Sequence, residues 1–97
     1  MKLRWDPRAL QDLREIRGYI AAASSPTIAN RVRQHLRKRV RLLPANPHMG
    51  VTSNNREIRV LAPTRYPYRI YYSVQDDNIV ILHIRHTARQ SPDDLGL

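Results

Sequence analysis

Cysteine is absent, which excludes disulfides, a thiolate nucleophile and cysteine-ligated zinc together. No N-terminal stretch has the basic-then-apolar build of a signal peptide, and no apolar run approaches the roughly 20 residues that a membrane helix needs. The expectation is a cytoplasmic protein with no membrane partner. Acids are scarce: eight Asp and Glu in all, and none from Ile16 to Arg56. No paired carboxylates lie near a candidate base and there is no G-x-S-x-G turn, so nucleophilic catalysis has little support.

What is abundant is arginine. Lys and Arg number 17, with 15 Arg to 2 Lys, giving a net charge of +9 and a pI near 11.1. The planar, always-charged guanidinium suits phosphate and carboxylate. Two partner classes fit: nucleic acid or an assembly carrying it, and an acidic protein segment that neutralises the surface. A length of 97 residues suits one domain over 1–97.

Lys2 to Trp5 reads as a short extended segment ending at Asp6-Pro7, a good N-cap followed by a good first helical residue. Ala9, Leu10, Leu13, Ile16 and Ile20 then recur at helical spacing, which leaves Arg8, Asp12 and Glu15 on the wet face. Ser25-Pro26 repeats the cap logic. Ile28, Ala29, Val32, Leu36, Val40 and Leu43 carry a second stripe, so an αα-hairpin is expected. Arg31, Arg33, Arg37, Lys38, Arg39 and Arg41 crowd the outer face of its second helix, as a solvated face or as an anion-seeking patch.

Residues 44–55 read as a loop, rich in Pro, Gly, Asn and Ser. "REIRVL" alternates like a strand, and in "YRIYYSV" Ile70, Tyr72 and Val74 share one face while Arg69, Tyr71 and Ser73 share the other. "QDDN" is a tight turn with residues suited to positive φ. "IVILHI" resembles a strand buried on both faces, and the tail over 90–97 looks loosely ordered. The order β-α-α-β-β-β predicts an α+β domain: a helical hairpin packed on a small, mainly antiparallel sheet, with the first strand beside one of the meander strands.

No metal site or other cofactor is expected. His83 and His86 point to opposite faces of a strand, while His35 and His48 lack a carboxylate at ligand spacing. Glu57, flanked by Arg56 and Arg59, reads as an ion-pair member rather than a general base. What remains is a cluster of cations and phenols: Arg59, Arg65, Tyr66, Tyr68, Arg69, Tyr71, Arg85, His86 and Arg89. Metal-free RNA cleavage needs a base on the 2′-OH, cations on the phosphorane and an acid for the leaving oxygen, and simple binding uses the same side chains. Arg69 and Tyr71 share a face and can act jointly. His86 has the parity of Val80, Leu82 and Ile84; with that face inward it reads as a hydrogen-bonded histidine at the core's edge.

Trp5, Ala9, Asp12, Leu13, Ile16, Tyr19 and Ile20 form the pattern W-x(3)-A-x(2)-DL-x-x-I-x-x-YI. Together with the basic second helix and "YRIYYSVQDDNIVILHIRHTAR", it resembles the RelE/ParE superfamily of toxins from bacterial type II toxin–antitoxin modules. The resemblance implies growth arrest and a cognate antitoxin whose acidic C-terminal segment wraps the toxin, with Leu10, Leu13, Arg17, Ile20, Arg33 and Arg37 as contacts. It implies one of two targets: mRNA cleaved in the ribosomal A site by the RelE-like branch, or DNA gyrase inhibited by the ParE-like branch. Arg69 matches an arginine that the ribonuclease branch uses on the phosphate, and Arg59 matches one of its strand-borne lysines. The companion lysine falls on Glu57, the later catalytic arginine falls on Thr87, and no tyrosine follows Tyr72. A register shifted by one or two residues brings Arg85 or Arg89 to that place, so a nuclease would use Arg59, Arg69, Arg85, His86 and Arg89. His86 and Arg89 as H-x-x-R, the length and the first-helix pattern are similar to the ParE-like branch. The expectation is therefore a gyrase inhibitor that grips its target through Arg59, Arg65, Arg69, Tyr71, Arg85 and Arg89. An RNA-cleaving member and a basic nucleic-acid-binding domain are the alternatives.

Overall fold

Asp6 starts the first helix as its chemistry dictates. In the computed structural model, which describes residues 1–88, the Asp6 carboxylate accepts the backbone N–H of Arg8 at 2.9 Å. Strand β1 (Lys2–Trp5) thus passes directly into α1 (Pro7–Ala23). Ser25 repeats the device on Ile28 N at 3.1 Å and opens α2 (Pro26–Val40). Each such cap stabilises its helix by about 1 kcal/mol. Expectations for Arg89 and for the tail over 90–97 lie outside the described residues. Among the described residues, no helix is long and apolar enough to cross a membrane.

The chain continues through β2 (Val51–Thr52), β3 (Arg59–Leu61), β4 (Tyr68–Gln75) and β5 (Asn78–His86). The five strands lie in the order β1-β5-β4-β3-β2, with β1 parallel to β5 and the other pairs antiparallel. Asp76, at φ 53°, turns the β4–β5 hairpin in the left-handed region that Asp tolerates. The α+β class and the helical hairpin on the sheet are as expected. The sheet has one strand more, because β2 forms inside the segment expected to be loop. Its two residues are too few to show an alternation.

Leu13, Val32, Leu36, Val40 and Leu43 from the helical layer meet Tyr68, Ile70, Tyr72, Ile79, Ile81 and Ile84 from the sheet. Burying each large aliphatic side chain contributes roughly 1.5–3 kcal/mol. Ile28 leaves the expected stripe and is 41% exposed. On β5 the pairing steps from Tyr71↔His83 to Tyr72↔Ile81, so Leu82 is an extra, bulged residue. Core parity therefore changes from Ile79 and Ile81 to Ile84. Val80 and Leu82 are half-buried, which corrects the expectation of a strand covered on both faces.

β3 begins at Arg59 rather than in "RE": Asn55 Oδ1 accepts Glu57 N at 3.0 Å, and Ile58 N bonds Asn55 O. That turn leaves Glu57 facing outward. Glu57 is exposed and, among the described residues, makes no ion pair with Arg56 or Arg59, contrary to its expected role. Arg59 Nη1 instead donates to Gly50 O at 2.7 Å. Tyr72 Oη donates to Pro47 O at 2.8 Å and accepts Gly50 N at 2.9 Å, which ties the 44–55 segment to the sheet.

Candidate functional site

Asp12 stands at the edge of the apolar stripe of α1, at spacing three from Ala9 and four from Ile16. It is 6% exposed. Beyond Trp5 the parallel partner of β5 ends, and Asp12 takes its place at that edge. One carboxylate oxygen accepts both His83 Nδ1, at 2.8 Å, and the backbone N–H of Ile84, at 3.0 Å. The other lies 3.5 Å from Arg85 Nη1. Asp12 is therefore not on the wet face, where helical spacing alone had put it. The hydrogen-bonded histidine at the core's edge is His83 rather than His86. His86 is exposed: its Nδ1 accepts Ala88 N at 3.1 Å, and its ring meets Tyr68 edge-on at 5.5 Å.

A cleft of about 500 Å³ opens beside this node, with Glu15, Ile16, Tyr19, Tyr68, Arg85 and His86 among its lining residues. Tyr19 is 72% exposed. Burial raises the pKa of the Tyr68 phenol, with Tyr19 adding to the shift, so Tyr68 is a neutral hydroxyl near pH 7 and a poor base. Arg85 Nε is buried with no partner.

Of the candidate target residues that are described, Arg85 alone lines this cleft. Arg69 and Arg85 are directly opposed across β4 and β5, yet Arg69 Nη1 donates to Thr87 O at 3.2 Å while Arg85 reaches Asp12. Arg59 is occupied at Gly50. Arg65 lies on the β3–β4 connection over the Tyr66 ring, 5.6 Å from its centroid. Tyr71 is 3% exposed, so joint action with Arg69 on an external partner has no surface there. Among the described residues no three His, Asp or Glu side chains come together as a metal site would require.

The residues expected to meet an antitoxin are mostly brought together. Leu10, Leu13, Arg14, Arg17, Asn30, Arg33 and Arg37 line one groove of about 430 Å³ between α1 and α2. Leu13 is its buried floor, at 4% exposure, rather than a free contact. Arg17 Nε donates to Asn30 Oδ1 at 3.3 Å across the groove, and Arg37 sits 5.5 Å over the Trp5 ring. Ile20 packs on the core instead of lining the groove. An apolar floor rimmed by guanidinium groups suits an acidic amphipathic segment.

Comparison with known proteins agrees with this architecture. A family model described as ParE toxin of type II toxin–antitoxin system, parDE, matches residues 3–91. Toxin RelE2 of Caulobacter vibrioides is 39% identical over 87 residues, spanning 88% of this chain and 93% of that protein. A chain from the chromosomal ParDE TA system of P. aeruginosa superposes with a TM-score of 0.82 at 28% identity, covering 89% of this chain and 95% of that one. The isolated E. coli RelE toxin superposes with a TM-score of 0.64 at 19% identity over 98% and 92%, a likeness of fold. The chain belongs to the ParE toxin family of type II toxin–antitoxin systems, within the RelE/ParE superfamily that its motifs resemble.

Proposed function

We propose that this toxin arrests growth by binding and inhibiting DNA gyrase, without cutting RNA, and that the acidic C-terminal segment of its antitoxin seats in the Leu10–Arg37 groove. The observation that carries the reading is that the cations a ribonuclease would need are engaged at separate internal acceptors. Arg59, Arg69 and Arg85 each engage an internal acceptor, at Gly50 O, Thr87 O and Asp12 Oδ1. Phosphoryl transfer without a metal demands cations and a proton-transfer group around one phosphorus. Among the candidate phenols, Tyr71 is buried, and burial holds Tyr68 protonated, which removes it as the base on the 2′-OH. The match to the ParE family model and the likeness to the P. aeruginosa ParDE chain support the same branch.

Purified toxin added to gyrase in a supercoiling assay is expected to inhibit supercoiling, and the antitoxin is expected to reverse the inhibition. Translating ribosomes given the same toxin should yield no new mRNA ends by primer extension. The 39% identical relative bears the name RelE2, which makes mRNA cleavage the second reading. Transcript scission that disappears in Arg69→Ala would establish it and overturn the gyrase reading.

A further inference from the structure

Helix α2 presents cations on two flanks. Arg33 and Arg37 face the α1 groove. His35 and, one turn on, Arg39 lie on the other flank, where the β3–β4 connection meets His35. There His35 Nε2 and Thr64 Oγ1 are 3.1 Å apart. The Tyr66 ring takes His35 edge-on, with centroids 5.2 Å apart at 78°, and carries Arg65 at 5.6 Å. Burial lowers the pKa of His35, and the charges of Arg39, Arg65 and Lys38 lower it further. Among the described residues the ion pairs are Arg8–Asp6 and Arg85–Asp12, so no carboxylate neutralises this flank. Like charges at helical neighbour spacing are unfavourable by a few tenths of a kcal/mol per pair. An external anion relieves that repulsion.

The chemistry of the flank selects among anions. Thr64, Arg65 and Lys38 are exposed and Tyr66 is half-exposed. Hydroxyl, guanidinium, ammonium and phenol groups are those that contact phosphate oxygens without reading sequence. The side chains that meet His35 here, Thr64 and Tyr66, are polar, where the α1 groove has Leu10 and Leu13. Arg31, Lys38 and Arg41 are exposed on the outer face of α2, where Lys38 and Arg41 also border Arg33 and Arg37, and they lengthen the positive row along the helix. Ten residues of helix span about 15 Å, roughly four steps of a nucleic-acid strand at ~3.4 Å each.

We propose that His35, Lys38, Arg39, Thr64, Arg65 and Tyr66 form a docking site for the phosphodiester backbone of a nucleic acid, running from Lys38 on the outer face of α2 to the flank opposite the antitoxin groove. This site does not depend on the gyrase reading, whose failure would appear in the supercoiling assay and not in the binding experiment below.

The test uses the full-length toxin and a mixed-sequence DNA duplex of about 20 base pairs, titrated by fluorescence anisotropy at several salt concentrations. Lys38→Gln with Arg65→Gln is expected to weaken binding about tenfold and to reduce the slope of log K against log salt by about 2, near 0.9 for each phosphate that is no longer neutralised. Arg14→Gln with Arg17→Gln, an equal removal of charge at the groove, should change the slope by less than about 1. In parallel, NMR should show the His35 titration midpoint rising when DNA is bound and staying in place when poly-glutamate is added. Equal effects in the two double variants would reduce the binding to diffuse charge and overturn the proposal. So would a His35 midpoint that ignores bound DNA, or one that responds to poly-glutamate as strongly as to DNA.

Discussion

The carboxylate of Asp12 and the imidazole of His83 are 2.8 Å apart and 71 positions apart in sequence. Through this contact, and the bond from Ile84 N to the same oxygen, α1 is fastened to β5 at its bulge. Removing one partner from a buried pair leaves the other polar groups without compensation, which costs more than the pair contributes while intact. Asp12→Ala is therefore expected to destabilise the fold by about 3 kcal/mol in urea denaturation. Asp12→Asn, which keeps an acceptor for Ile84 N, should cost less. A destabilisation below about 0.5 kcal/mol in Asp12→Ala, the usual range for a surface substitution, would contradict the role assigned to this node.

Gly50 lies against Tyr72 and β3. A Cβ there would come within 2.8 Å of the Tyr72 hydroxyl oxygen and of Val60 O. Gly50→Ala forces the phenol or the β2 backbone to move, at about 1–3 kcal/mol. Tyr72→Phe leaves Gly50 N–H and Pro47 O without their partner, with a similar expected cost of about 1–3 kcal/mol. Hydrogen exchange at Val51 and Thr52 should accelerate in both variants, and unchanged exchange would mean that β2 is held by other contacts.

Stability should also depend on His35. Burial and the neighbouring Arg39, Arg65 and Lys38 place its pKa below the ordinary histidine value. The unfolded ring then binds a proton more readily than the folded one, so stability rises with pH across this window. The contribution is complete above the ordinary value and is lost as pH falls through the folded value. Between about pH 7.5 and 5, the urea midpoint of the native protein should fall more steeply than that of His35→Gln. Parallel declines would show that another group carries the dependence.

At the proposed antitoxin groove, charge reversal is the sharpest probe. Arg33→Glu with Arg37→Glu places carboxylates where the acidic segment would lie, and juxtaposed like charges cost several kcal/mol. Affinity for the antitoxin, measured by calorimetry, should fall at least about 100-fold, or ~2.8 kcal/mol. Arg31→Glu, outside the groove lining, should change it by less than about threefold. Equal effects from the two would mean that the antitoxin senses only net charge.

Local chemistry was legible in the chain itself. Asp6-Pro7 and Ser25-Pro26 start helices because a side-chain oxygen satisfies a free N–H within three residues. Asp76 turns a hairpin because its own backbone tolerates positive φ. The arginine surplus and the acid-free interval from Ile16 to Arg56 belong to composition, and they pointed to an anionic partner before any fold was known.

The helical hairpin, the β4–β5 hairpin, the sign of the surface and the motifs that resemble the toxin superfamily are all readable from the order of residues. Each depends on residues a few positions apart or on a sum over the chain. Packing between distant segments makes Asp12 a buried acceptor, bulges Leu82 and so shifts the inward parity of β5, forms β2 beside the Gly50–Tyr72 bond, and gives Arg59, Arg69 and Arg85 separate acceptors. These features arise where distant segments meet. A carboxylate or guanidinium goes inward or outward according to which partner packing brings to it, and periodicity along one element carries no information about that partner.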